Sequence, residues 1–586
     1  MIKTMICFLC LALAAADSGW SVVSAQVEGV LYVDDDAPAG GDGSSWAQAL
    51  PFLQDALALA AAPGSGIKEI RVARGMYRPD RDGMNPGGTG LRSATFALVS
   101  GVAVRGGYAG VTGVFPDTRD PDRYATFFSG DLLGDDLPGW NHYADNAYHV
   151  LHAVDTAPGT RLEGVVVRGG YADASSGLAA VGGGMLVEGS SLALDRCVFQ
   201  YNFARYGGAA YLVLATVEIG DCLFQYNQAQ LGRGGALYIG EGVQPAVSGC
   251  RFESNEAFGG SGVGDGGAIF VQQIPAMTLT DCHFQANRSH TSGVFDATGG
   301  AVSSLAGYLQ IDGGWFGDNL ADQGGALWLN GAVDIYNTVI SGNVGNTFGG
   351  GILVFGGPVR VTGVTVTGCH SSDGGGISVG LSGAVAVASS ILWGNTGEQD
   401  RVFSNQIHNN GGVVALQYST IEGLFTPAPG EDPPDPADFP GCIDRDPQLV
   451  SPAGADGLPG TADDNLRLRP ASPAIDAGNN TEFLLPAALD AAGNPRFLDD
   501  PATPDSGVGM PPLADMGAYE YQGALVIPGD LDGDGQLSAT DLLILSEILA
   551  EVWPVPPLSA EYMDISLDGR LDVLDRLLLQ RMLVGL

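Results

Sequence analysis

"CVFQYN" at residues 197–202 is followed by "CLFQYN" at 222–227, "CRFESN" at 250–255 and "CHFQAN" at 282–287. Cys, Phe and Asn hold their places while the residues between them vary. Two-residue alternation sends Cys and Phe to one face and the second and fourth residues to the other, which is the period of a strand. Degenerate copies continue as "GWFGDN" ending at Asn319, "TVISGN" at Asn343 and "SILWGN" at Asn395, and in "VTVTGC" Cys369 takes the Asn position. A second signal keeps the same rhythm. "GG" recurs at Gly182, Gly207, Gly234, Gly266, Gly299, Gly324, Gly349 and Gly374, in steps of 25 to 33 residues.

Each repeat therefore holds two or three short apolar strands punctuated by Gly and Asn, with no helical period. One unit cannot bury its apolar face alone. Coils stacked about 4.8 Å apart pair every strand with its neighbours and enclose a continuous core. The fold class expected is an all-β parallel β-helix solenoid. Asn202, Asn227, Asn255 and Asn287 are expected to form a ladder at one turn, where Asn tolerates left-handed backbone angles and its amide bonds to the next coil. The Gly pairs are expected at another turn. Cys197, Cys222, Cys250 and Cys282 fall in one inward column. Neighbouring coils bring such residues into disulfide range, but parallel side-chain vectors favour free buried thiols acting as small hydrophobes. Ligands in one line do not surround a tetrahedral ion.

The ends of a solenoid need covering. "SSWAQALPFLQDALALAAAP", residues 44–63, places Trp46, Leu50, Leu53 and Leu57 at helical spacing and predicts a capping helix. Early strands are expected at "EIRVARGMY", "GVAVRGGY" and "LEGVVVRGG". After Ser390 the pattern changes, and "FTPAPGEDPPDPADFPG" (425–441) is acidic, Pro-rich loop.

With 586 residues the chain exceeds one compact core. Its 89 glycines accompany 45% hydrophobic residues, which fits a turn-rich folded β architecture rather than a disordered chain. Mean hydropathy is +0.14. The formal charge is −40, with Lys3 and Lys68 the only lysines. Such a surface repels nucleic-acid phosphate and anionic lipid and attracts Ca²⁺. Residues 1–25 read as a signal peptide: Lys3, an apolar run from Met5 to Ala16, then Val23 and Ala25 before the cleavage point. The run is too short to span a bilayer. A secreted protein, extracellular or on the cell surface, is expected.

The repeats, with "LYVDDDAPAGGDGSSWAQALPFLQDAL" and "IRVARGMY" before them, resemble secreted right-handed parallel β-helix proteins of the pectate-lyase-like superfamily. "SPAIDAG" (472–478) and "DMGAYEY" (515–521), within a stretch of about 385–521, resemble the terminal region called choice-of-anchor Q, which marks a surface or extracellular family and no activity. The expected division is residues 1–25 signal peptide, 26–384 capped β-helix, 385–521 last coils and choice-of-anchor Q-like region, and 522–586 a small α-helical module.

That last module contains two acidic loops. "DLDGDGQLSATD" sets Asp530, Asp532, Asp534, Gly535 and Asp541 at positions 1, 3, 5, 6 and 12 of an EF-type loop, and "DISLDGRLDVLD" sets Asp564, Ser566, Asp568, Gly569 and Asp575 likewise. A hard cation needs several oxygens converging from one short loop, and Gly at position 6 permits the bend. Gln536 and Arg570 contribute backbone carbonyls, and Ser538 and Asp572 act directly or through water. Ser566 replaces the usual Asn or Asp and weakens the second site. A loop followed by one apolar helix, given twice, resembles a dockerin domain. The resemblance implies two Ca²⁺ ions and a cohesin module as partner, with Ala539, Thr540, Val573 and Leu574 at the positions where dockerins carry recognition residues.

The β-helix superfamily includes polysaccharide lyases and glycoside hydrolases. Hydrolysis needs two carboxylates at a set separation, and neither "NTD" with "GHG" nor an "RxK" motif occurs. Outward columns place Arg251 beside His283, and Glu253 between Gln225 and Gln285 with Asp281 near, as a candidate glycan contact. "GADGLPGTADDN" (454–465) suits a further Ca²⁺ loop. The expected function is an exported, adhesin-like scaffold that contacts glycan and is tethered through the dockerin. A dockerin-bearing polysaccharide lyase or glycoside hydrolase is the alternative.

Overall fold

The computed structural model describes residues 29–523 except 261, 263, 293–295, 399–401, 428–431 and 484–488, together with the single residues Leu542, Leu545 and Gln580. The expected signal peptide and the calcium ligands from Asp530 to Asp575 lie outside the described residues.

Parallel strands stack coil upon coil. In one coil, Thr216–Gly220 pairs with Ser191–Asp195 on one side and Gln244–Ser248 on the other. Leu223–Gln225 lies between Val198–Gln200 and Arg251–Glu253, and Gln228–Arg233 between Phe203–Tyr206 and Glu256–Phe258. Repetition of this pattern builds parallel sheets of 22, 12 and 8 strands. The chain is thus an all-β parallel β-helix, as its repeats require.

Alternation places the inward residues in columns. Phe199, Phe224, Phe252, Phe284 and Phe316 are fully buried, with successive ring centroids 5.2, 4.8, 4.7 and 4.6 Å apart and nearly parallel planes. Burial of each such side chain stabilises by about 1.5–3 kcal/mol, and the ring spacing matches the strand spacing that the backbone imposes. Cys197, Cys222, Cys250 and Cys282 form the neighbouring column as free buried thiols; Cys369 and Cys442 are free and buried as well. Burial pushes the Cys369 and Cys442 thiols up to about 11, so at neutral pH they are uncharged packing groups.

The Asn ladder forms. Asn227 Nδ2 donates to Asn255 Oδ1 (3.0 Å) and to Phe199 O (2.8 Å), and Asn255 Oδ1 also accepts from Asn227 N (3.1 Å). The pattern runs from Asn202 to Asn343. At the next coil Cys369 N donates to Asn395 Oδ1 (3.0 Å), and Gln406 closes the row beyond Asn395. One expectation is corrected here. The left-handed residue is the one before each Asn, with φ of 53° at Tyr201, 54° at Tyr226, 53° at Ser254 and 54° at Ala286. The amide has to point into the ladder, so the residue before it at the corner takes the reversed backbone.

The two glycines of each pair answer different demands. Gly266 has φ +66°, a conformation that strains L-residues. A Cβ on Gly267 would collide with Gly300 O and stand 2.7 Å from the Arg288 backbone.

The N-terminal cap is shorter than its apolar spacing predicts. Trp46–Gln48 forms a 3₁₀ turn and the α-helix covers only Leu53–Ala61. Leu50 is drawn into a bridge with Val33, and Pro51, lacking an N–H and restricting the residue before it, breaks the helical run. Leu53, Ala56, Leu57 and Ala60 close the end of the core.

At the other end the strand Ile377–Ala388 crosses residue 384, and coils continue through Thr420–Ile421. The following segment folds back on the solenoid flank. Ala518 N donates to Thr365 Oγ1 (2.9 Å), Asn479 N to Ser389 Oγ (2.8 Å), and Met516 and Ala518 pack with Ile391. "SPAIDAG" and "DMGAYEY" interlock: Asp476 N donates to Asp515 Oδ1 (2.8 Å) and Met516 N to Ala474 O (2.9 Å).

Candidate functional site

A groove of about 590 Å³ opens where the segment 130–146 stands against the corners of successive coils. This segment interrupts the rung rhythm between Thr126–Ser129 and Leu151–Val154. It turns sharply, with Trp140 at φ 63° and His142 at φ 68°. Trp140 is fixed edge-on to Tyr143 (5.0 Å) and Phe203 (5.6 Å). Arg168, Tyr201, Tyr226, Gln228 and Glu256 come from the coils.

Tyr201 and Tyr226 belong to the fold-deciding hexapeptides. They share parity with the inward Cys and Phe, but the left-handed corner turns them out, leaving 44% and 47% of their surface exposed. Exposed aromatic faces beside hydrogen-bonding groups are the ordinary furniture of a ligand groove.

The carboxyls of the groove differ in state. Burial, reinforced by Asp131, Asp145 and Asp135, pushes Asp136 up to about 7. Asn146 Nδ2 donates to its Oδ2 (2.9 Å), and Oδ1 is buried without a partner. Glu256 is held below its ordinary range by its hydrogen bond to His290 Nε2, and Gln228 Nε2 also donates to it (2.7 Å).

In two acidic trios most of the carboxylates are engaged within the fold, although Asp145 Oδ2 is buried without a partner. Asp131, Asp135 and Asp145 bring carboxylate oxygens within 4.8 Å of one another. Yet Asp131 Oδ1 accepts from Gly134 N (2.6 Å) and Asp135 N (3.2 Å), and Asp135 Oδ2 pairs with His142 Nδ1 (3.1 Å). In the trio Asp34, Asp35 and Asp36 the first two are likewise engaged: Asp34 accepts from Val111 N and Asp36 N, and Asp35 from Met76 N.

The outward cluster read from sequence is in register, Arg251 opposite His283 and Glu253 opposite Gln225 and Gln285. Arg251 is turned onto Glu253 of its own strand (2.6 Å), and Gln225 donates to Gln200 (2.7 Å). Burial and the Arg251 charge hold His283 low. The Arg251 guanidinium is thus engaged within its own strand. In the loop 454–465, Asp463 Oδ2 accepts from Ala455 N and Asp456 N, and Asp464 Oδ2 from Gly460 N (2.6 Å) and Ser341 Oγ (3.3 Å). The loop tip seats on the solenoid beside Gly342 and Gly368.

The sequence reading missed the groove itself. Its signal was the irregular stretch "GDLLGDDLPGWNHYADN" (130–146), rich in Asp and aromatics within a regular array.

Among the described residues, no helix is long and apolar enough to cross a membrane. No curated protein matches the chain. A solved structure described as the crystal structure of pectate lyase Pel9A is similar with a TM-score of 0.33 and 13% identity, over 84% of this chain and 96% of that one. Residues 528–584 match the dockerin type I domain family. The chain therefore joins a parallel β-helix to a dockerin type I domain, a module of a calcium-binding kind.

Proposed function

We propose that the chain is an exported β-helix scaffold that contacts glycan through the Trp140–Tyr226 groove and is tethered by its dockerin to a cohesin module of a scaffold or surface protein. The observation that carries the glycan reading is the exposed Tyr201–Tyr226 stack beside Trp140, in a groove lined with carboxyl, amide and guanidinium groups. The C–H faces of a sugar ring pack on such aromatic faces, and its hydroxyls take the polar groups at the rim. With a net charge of −40, a neutral glycan suits this surface better than a polyuronate, unless a cation bridges the two.

In this reading residues 1–25 are the export signal. Asp530, Asp532, Asp534, Gln536 and Asp541, then Asp564, Ser566, Asp568, Arg570 and Asp575, hold two Ca²⁺ ions that order the docking module. Affinity electrophoresis against a panel of plant and algal polysaccharides tests the groove, and cohesin capture with and without EGTA tests the tether. Migration unchanged by every glycan would remove the first half of the proposal. Capture indifferent to EGTA would remove the second.

One observation favours a polysaccharide lyase or hydrolase instead. Asp136 titrates near neutrality while Glu256 stays ionised in the same groove, the paired states that acid–base cleavage uses. Release of reducing ends or of unsaturated, ultraviolet-absorbing products, abolished by Glu256→Gln, distinguishes it from simple binding.

A further inference from the structure

We infer that Asp476, Asp499 and Asp505 form a Ca²⁺ site that clamps the terminal segment, separate from the dockerin loops. One carboxylate oxygen of each lies within 4.8 Å of the other two. That is the span of oxygens on opposite sides of a calcium ion with ligand distances of about 2.4 Å.

Asp476 is fully buried. Its Oδ2 accepts a hydrogen bond from Asp500 N (3.2 Å), but its Oδ1 is enclosed with no partner at all. A buried carboxylate oxygen without a donor is costly. Among the described residues no cation relieves it: none of the three aspartates forms an ion pair. The largest charges acting on Asp476 are those of Asp499, Asp505 and Asp500, all negative. The buried Arg496 instead faces Glu520, Asp515 and Asp490.

In the two trios described above, Asp131, Asp34 and Asp35 accept from backbone N–H groups and Asp135 pairs with His142. Here the partner that the charge and the geometry demand is a hard divalent cation. Asp499 and Asp505 are exposed, so water can complete a coordination shell of six to eight oxygens. The protein ligands come from two places. Asp476 belongs to the motif interlocked with Asp515, and Asp499 and Asp505 lie in a segment whose next residues, Ser506 and Gly507, both donate N–H groups to Asp476 O (3.0 Å each). An ion at this point joins the loop to the motif that docks the segment on the solenoid.

The test uses the full chain with its dockerin intact in every variant. Equilibrium dialysis counts bound Ca²⁺ per chain, and thermal melts are recorded in Ca²⁺ and in EGTA. Asp499→Asn/Asp505→Asn is expected to bind one ion fewer than the wild type and to lose part of the calcium-dependent rise in melting temperature. In EGTA it should melt at the wild-type temperature or above, because charge repulsion is relieved. An unchanged ion count would overturn the inference, as would a variant destabilised equally in Ca²⁺ and EGTA. Asp505→Asn alone, at an exposed position, repeats the count with the least risk to folding.

Discussion

The Tyr201 and Tyr226 rings lie 5.2 Å apart and 8° from parallel, stacked like the core phenylalanines but facing solvent. The same coil spacing produces both stacks, and only the corner residue's backbone decides which side of the wall a ring occupies. Tyr226→Ala and Trp140→Ala are each expected to weaken glycan retardation by about three- to tenfold, the equivalent of about 0.7–1.4 kcal/mol. Melting should be almost unaffected. Equal retardation of both variants and wild type in affinity gels would show that the groove is not the contact.

Asp136 supplies a pH signature. Its folded-state pKa, about 7, stands above the ordinary 3.8 because burial disfavours the anion. The fold therefore favours the protonated form, and stability falls as the pH rises from about 4 through about 7. Asp136→Asn should melt with the wild type near pH 4 and increasingly above it toward pH 8. A wild-type-like decline between those pH values in the variant would rule out this assignment.

Asn255→Ala removes an acceptor from two Asn227 donors and the two donations of its own amide, to Phe224 O (2.8 Å) and Asn287 Oδ1 (3.0 Å). Leaving those buried groups unpaired should cost about 2–5 kcal/mol. Urea unfolding followed by far-ultraviolet circular dichroism measures it. Asn409→Ala, at an exposed strand end, is the matched control.

Gly267→Ala would force a Cβ into the next coil and should destabilise by about 3 kcal/mol or more. Gly64→Ala, at φ +76° with nothing within 4 Å, carries only the left-handed penalty of about 1–2 kcal/mol. The difference between the two urea midpoints separates close approach from backbone strain.

The six buried cysteines predict no reaction with DTNB in the native state and full reaction of each on unfolding without reductant. A shortfall on unfolding would mean that the column carries a disulfide.

Periodicity alone determined the coils, the Phe and Cys columns and the Asn ladder. A repeated six-residue pattern has one way to bury its apolar face, by pairing with its own next copy. The dockerin module was legible too, and residues 528–584 match the dockerin type I domain family, because such a module keeps its pattern within one short segment. The groove was not. Trp140 and Asp136 share the insertion 130–146, Tyr226 and Glu256 stand whole coils away, and their meeting depends on where the insertion folds back and on which corner residue adopts the left-handed backbone. The Asp476 trio was hidden for the same reason. Its ligands sit in two segments brought together only when the terminal motifs interlock, and no local spacing encodes a contact that the docking of one segment on another creates.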